Sequence, residues 1–321
     1  DRPLGTGPYV LTEEATGETV LTARSGWWQG KALPVQIIRL TAASRSEDLV
    51  SSFSAGDIGL VDVDLMGTNA PGYSGSYQTW DYATTELLYL GLNTQSGLCR
   101  APEVRQAIAR AIDRTSIVQV DFARHAVAAG LPVHPSSPLY NAAQAGTLGY
   151  SPQQSQAALE QLRLTGRSVT LVVNTENTAK VSAAQRIAAQ LEAVGLTVHL
   201  SRLSYDSYVG ALAAGSFDLY LGQVTLTGDF DLAPLLSSSG SLNYGRWQDA
   251  LGDALLSAFQ SAQGETRAKA ASDLFAYLNQ QAPIVPVCFK NGSVLTQWSR
   301  LSGLSPVRGN VFYQLENWKL S

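Results

Sequence analysis

The stretch Leu87–Arg114, LLYLGLNTQSGLCRAPEVRQAIARAIDR, constrains the fold of this chain more than any other. It opens on a largely apolar run, Leu87–Leu92, of the length of a buried strand. Asn93 and Thr94 end that run, and a loop carries Cys99 towards Pro102. From there Val104, Ala107, Ile108, Ala111 and Ile112 recur at the spacing of one helical face. Pro102 stands at the first helical position, where an N–H would have no partner anyway. Arg105, Arg110 and Arg114 point away from that face. A buried strand feeding an amphipathic helix is a building unit of α/β proteins.

Residues 168–222 extend the alternation into a β-α-β-α-β pattern. Strands are predicted at Ser168–Val173, Leu196–Leu200 and Phe217–Leu221, with helices at Lys180–Val194 and Tyr205–Ala214. Gly195 closes the first of these helices. Such alternation predicts a mainly parallel sheet. Two amphipathic helices, Gln248–Ala262 and Glu265–Gln280, and an apolar strand, Ile284–Phe289, come next. Upstream, Tyr9–Leu11 and Thr19–Ala23 read as a hairpin around Ala15-Thr16-Gly17-Glu18. Val35–Thr41 reads as a strand, Glu47–Ala55 as a helix, and residues 67–81 as a loop rich in Gly, Ser and Asn. Ser151, Pro152 and Gln154 predict a capping box at the start of a further helix.

Composition narrows the function. The 321 residues are 45% hydrophobic and 15% charged, with a net charge of −4. Without a basic cluster, nucleic acid and anionic membrane surfaces are poor partners. No run approaches the roughly 18 apolar residues of a membrane span. Cys99 and Cys288 leave open one disulfide or two buried thiols. His125, His134 and His199 fit no metal-ligand spacing, so no metal or cofactor is expected. No GxSxG, HExxH, phosphate loop or CxxC occurs, and no catalytic residue is assigned. Asp62 and Asp64 alternate on what reads as a solvated face.

In order along the chain, Gly5–Tyr9 (GTGPY), the segment Ser25–Arg39 with Trp28, Gly30 and Lys31, Phe53–Ile58, the strand-Asn-loop-VRQAIARAIDR unit and Pro283–Pro286 resemble bacterial extracellular solute-binding proteins of family 5. These deliver peptides, nickel chelates or oligosaccharides to ABC importers. The resemblance implies an α/β, two-lobed periplasmic-binding-protein-like fold of type II that closes about a hinge. It implies no enzymatic activity. One lobe is expected at residues 1–88 plus 296–321, the other at 89–295. Family members carry a long segment before GTGPY, so the first lobe is expected to be incomplete, with any export signal or lipid anchor lying outside. The implied partners are a peptide and the membrane permease of an importer. The implied setting is extracellular, periplasmic or anchored to the outer face of the cell membrane, as a monomer. A sugar or nickel-chelate ligand, or the sensor domain of a transcriptional regulator, is the alternative.

The same resemblance selects site residues. In the family's peptide binders, an aspartate in the loop after the strand at Phe217–Leu221 pairs with the ligand's ammonium. Thr227-Gly228-Asp229 fits that pattern best, so Asp229 is the first choice and Asp231 the second, with Phe230 between them. Leu232 stands where the family has proline. Asn243, Tyr244 and Trp247 fall on a segment that lines or flanks the family's cleft. A carboxylate in a closing cleft loses solvent screening, and its attraction to an ammonium strengthens.

Overall fold

The computed structural model describes residues 5–15 and 17–321; Thr16 of the predicted hairpin turn lies outside them. The chain divides into two compact units. The first runs to Leu65 and takes in Ala70–Tyr82 and Gly292–Ser321; the second is Met66–Asn69 with Ala83–Asn291. The sequence places the changeovers at 88/89 and 295/296. The units change over at 82/83 and 291/292, inside two long strands.

In the first unit, β1 (Tyr9–Ala15), β2 (Glu18–Ala23) and β3 (Ile37–Thr41) form an antiparallel sheet in that order. Helix α1 (Ser46–Ala55) ends at Gly56, whose φ of 83° is the left-handed conformation that closes helices. Strand β4 (Leu60–Val63) lies antiparallel to Ser293–Thr296. Phe53, Val61 and Leu295 form a core with Tyr73 and Tyr77 packed against it.

Strand β5 (Tyr77–Leu92) is sixteen residues long. Its start, Tyr77–Asp81, corrects the loop read over 67–81. The Gly and Ser signals end at Ser76, and side chains alternate in burial from there. The second unit continues through α2 (Pro102–Ala111), the short α3 (Arg114–Ser116), β6 (Ala126–Ala128), α4 (Ala142–Gly146) and α5 (Pro152–Gln161). Then come β7 (Ser168–Asn174), α6 (Thr178–Ala193), β8 (Thr197–Leu203), α7 (Tyr205–Ala214) and β9 (Leu219–Thr225). The short α8 (Ala233–Leu236), α9 (Ala250–Ser261), α10 (Glu265–Gln281) and β10 (Ile284–Gln297) follow.

The sheet runs β10-β5-β9-β7-β8, with β6 beside β10. β7 is parallel to β8 and β9, while β5 is antiparallel to β9 and β6 to β10. The sheet is therefore mixed, which corrects the mainly parallel expectation. Crossover helices fix the direction of β7, β8 and β9 only. β5 enters from earlier in the chain, and no crossover joins it to β9. Period-two alternation divides β5 between two cores. Leu88, Leu90 and Leu92 join α2 and α6 on one face; Leu87 and Tyr89 join α9 and α10 on the other.

The fold settles three details of the sequence. Arg105 and Arg114, which lie off the apolar face predicted from the sequence, are nevertheless buried. Arg105 donates to the carbonyls of Gln281 (2.7 Å), Cys99 and Arg100 (both 2.9 Å). Arg114 donates to Pro286 (2.8 Å) and Leu148 (3.2 Å). A guanidinium carries five donors, so one side chain can satisfy carbonyls from several separate segments. Ser151 is the N-cap residue of α5, but its hydroxyl makes no cap bond. Its N–H donates to Arg110 O at 2.8 Å, so Gln154 has no N–H to reach back to and the capping box does not form. Cys99 and Cys288 are free, buried thiols, and burial pushes Cys99 up to about 12.

Candidate functional site

The parallel strands β7, β8 and β9 end on the same edge of the second unit's sheet. Ligands of open α/β sheets bind outside such carboxyl ends. Two features lie there: the loop Leu226–Asp231, and a recess of ≈ 380 Å³.

The loop leaves β9 pinned, because Leu226 N–H donates to Thr85 O at 3.0 Å. Thr227 organises the turn: its carbonyl accepts from Phe230 N–H at 3.0 Å and its hydroxyl from Asp231 N–H at 2.9 Å. Asp229 is thereby presented to solvent, with 64% of its side chain exposed. Its carboxylate lies 4.0 Å from Arg267 of α10, whose Nη2 also donates to Asp229 O at 2.6 Å. A hydrogen bond from the Thr227 side chain, with Arg267 adding to it, holds the Asp229 carboxyl below the usual carboxylate range. It is ionised at neutral pH.

The other residues selected from the sequence hold this region together. Phe230 is buried edge-to-face on Phe289, with centroids 6.0 Å apart. Asp231 Oδ1 accepts from Ala233 N–H (2.9 Å) and Gln260 Nε2 (2.6 Å). Asn243 closes its own loop, donating to Ser237 O and Trp247 O and accepting from Trp247 N–H. Tyr244 meets Tyr220 edge-on, and Trp247 is buried against Gly252 and Tyr277. Of the six, Asp229 alone is exposed.

The recess was not singled out by the sequence reading. Thr68, Glu86, Asn174, Glu176, Asn177, Lys180, Tyr205 and Gln223–Thr225 line it. Glu86 accepts from Lys290 Nζ at 2.9 Å and from the Gln223 amide. Asn174 bridges two charges: its Oδ1 accepts from Lys180 Nζ at 2.5 Å and its Nδ2 donates to Glu176 at 2.8 Å. Glu176 also accepts from Tyr205 N–H at 2.7 Å, and these bonds hold its carboxyl low. Lys180 is only 6% exposed, and burial pushes its ammonium down to about 8. The one available signal was Lys180 and Asn177 beside the start of a helix, after a strand ending in Asn174. A lysine there reads as solvated until the fold buries it.

Among the described residues no group of three His, Cys, Asp or Glu is placed to hold a metal ion, and no helix is long and apolar enough to cross a membrane.

The mixed α/β fold is that of the type II periplasmic binding proteins. It matches the oligopeptide-binding protein AppA of Bacillus subtilis, solved in complex with a nonapeptide, with a TM-score of 0.64 at 20% identity, over 98% of this chain and 66% of that one. Residues 1–244 match the family described as bacterial extracellular solute-binding proteins, family 5 middle, and the chain belongs to that family. It is 28% identical over 310 residues to the probable ABC transporter periplasmic-binding protein SapA of Escherichia coli, covering 89% of this chain and 54% of that protein. It is 25% identical over 313 residues to heme-binding protein A of Haemophilus influenzae, covering 91% and 55%. The chain thus spans about half the length of these curated relatives.

Proposed function

We propose that the chain is the ligand-binding part of the substrate-binding subunit of an ABC importer, that it captures peptides by hinged closure, and that it has no catalytic role. The observation that carries this reading is the family match over residues 1–244, continued along the chain by relatives of the same kind. The two compact units correspond in this reading to a partial first lobe and a complete second one. Asp229 supports peptide as the ligand class. It is an ionised, exposed carboxylate at the carboxyl edge of a partly parallel sheet, available to the ammonium that every free peptide carries. Phe230, Asp231, Asn243, Tyr244 and Trp247 act as supports that fix its loop and the neighbouring one. The partners are a peptide and an importer permease, and the setting is outside the cytoplasmic membrane.

Haem is the second reading, because one curated relative is named for it. A thermal-shift screen of the purified chain against di- to hexapeptides, oligosaccharides, nickel chelates and haem separates the classes. A ligand that binds only the folded state raises the melting midpoint by mass action. Peptides are expected to raise it; a shift with haem, sugars or chelates alone overturns the peptide reading and leaves the family membership intact.

A further inference from the structure

The loop that presents Asp229 is anchored in the core by a row of three rings. Phe230 has a φ of 58°, a left-handed backbone that a bulky side chain keeps only where its surroundings hold it. Its ring is anchored edge-to-face on Phe289 of β10, which is fully buried, with centroids 6.0 Å apart. The same Phe289 ring meets His134 edge-on, with centroids 5.4 Å apart. His134 therefore lies two ring contacts from the residue that follows Asp229.

The surroundings of His134 suit only its neutral form. It is 6% exposed, and its Nδ1 accepts the Ser136 N–H at 3.1 Å. A ring nitrogen that accepts carries no proton, so the single proton of the neutral ring is on Nε2. Nε2 is buried and finds no hydrogen-bond partner among the described residues. A second proton has to enter at Nδ1, where the Ser136 N–H already points. That bond is then lost, and a buried cation stands against Phe289. The charged and titratable groups nearby are engaged elsewhere. Tyr140, on the loop of His134, accepts from Gly130 N–H, and Lys290, beside Phe289, pairs with Glu86. On the loop of Phe230, Asp229 faces Arg267 and Asp231 accepts from Gln260 and Ala233 N–H. Burial alone lowers the pKa of His134, with no charge contributing.

We infer that His134 is a positioning residue for Asp229, acting through Phe289 and Phe230, and that a proton on His134 releases the Asp229 loop and weakens ligand capture. This rests on the reading of Asp229 as the contact for the ligand's ammonium. An opened loop, in which His134 reaches water, binds the proton more tightly than the closed one, so acid shifts the population towards it. The change sets in as pH falls below about 6.5. Asp229 stays ionised in this window, because its carboxyl is held below the usual range. The loss of capture is then not a titration of the contact itself.

Hydrogen exchange of the ligand-free chain at pH 7 and pH 5, corrected for the intrinsic rate, tests the first half. In wild type the amides of Leu226, Phe230 and Asp231, which donate to Thr85 and Thr227, are expected to lose protection by about fivefold or more in acid. The amides of Leu164, Gly166 and Arg167, in the turn before β7 at the opposite edge of the sheet, are expected to keep theirs. His134→Gln, which leaves His125 and His199 in place, is expected to abolish the loss. Phe289→Leu, which breaks the row of rings and keeps His134, is expected to do the same; circular dichroism confirms that each variant is folded. For the second half, a mixture of tri- to hexapeptides free of His, Asp and Glu is titrated by thermal shift at both pH values. Wild type is expected to need about fivefold or more peptide at pH 5, and His134→Gln the same amount at both. Unchanged loop protection in wild type, an equal loss in the turn before β7, or a loss that persists in either folded variant overturns the positioning role. An equal peptide response of wild type at the two pH values overturns the effect on capture. No response to peptides at pH 7 overturns the peptide reading, and the exchange measurement, which uses no ligand, still decides the role of His134.

Discussion

At the level of single residues, the second unit contains ionisable groups that burial makes destabilising. Lys180 titrates lower in the folded chain than in the unfolded one, so the unfolded state binds its proton more tightly. The penalty is absent above the unfolded value of about 10.4, grows as pH falls towards 8, and is fully present below that. Lys180→Met is therefore expected to raise the melting midpoint at pH 7 by about 3 °C or more, as measured by calorimetry. His134 follows the same sign. Its Nδ1 lies 2.7 Å from the Ser136 hydroxyl, its Nε2 is buried without a partner, and burial lowers its pKa. Its neutral form fits the fold, so this contribution to stability is complete above about pH 6.5 and is lost as pH falls from there towards the lowered folded value. His134→Gln is expected to flatten the slope of urea-unfolding stability over that window.

Among the secondary-structure elements, two contacts set the geometry of the sheet. Tyr89 pairs across strands with Gly222, and Gly91 with Tyr220, so each glycine lies under the ring opposite. A Cβ on Gly91 would lie 2.1 Å from the Tyr220 ring, and one on Gly222 2.4 Å from the Tyr89 ring. Gly91→Ala and Gly222→Ala are each expected to cost about 1–3 kcal/mol in urea unfolding through overpacking. The helix starts differ in the same way. Asn177 caps α6 by accepting from Lys180 N–H and donates to Met66 O, whereas Ser151 makes no side-chain cap bond. Asn177→Ala should cost about 1 kcal/mol or more, and Ser151→Ala should fall within ~0.5 kcal/mol of wild type. Local pattern alone gives both residues the same role. What separates them is that the Asn177 side chain reaches the Lys180 N–H while the Ser151 hydroxyl makes no such bond.

Over the whole molecule, local periodicity made most of the second unit legible. The helices α2, α6, α7, α9 and α10 stand within a few residues of where apolar spacing puts them. The same spacing failed where strands pass from one unit to the other. β5 and β10 are sixteen and fourteen residues long, but only their most apolar parts, Leu87–Leu92 and Ile284–Phe289, announce themselves. The antiparallel placement of β5 is a long-range pairing with no local signal. At the site, the motif pattern led to Asp229, whose exposure follows from a turn built by Thr227. It could not lead to the recess, whose lining comes from segments as far apart as Thr68 and Thr225. Nor could it show that Arg105 and Arg114 are interior clamps, because each also reaches a carbonyl far along the chain, that of Gln281 or Pro286.

The most direct measurement is isothermal titration of one peptide identified by the screen, in free-amine and N-acetylated forms, against the wild-type chain and Asp229→Ala. If the chain captures peptides through the Asp229 carboxylate, acetylation weakens wild-type binding by about tenfold or more. Asp229→Ala then binds both forms with the weaker affinity while keeping its folded spectrum. Equal binding of the two forms by wild type, or an undiminished preference for the free amine in Asp229→Ala, contradicts that role.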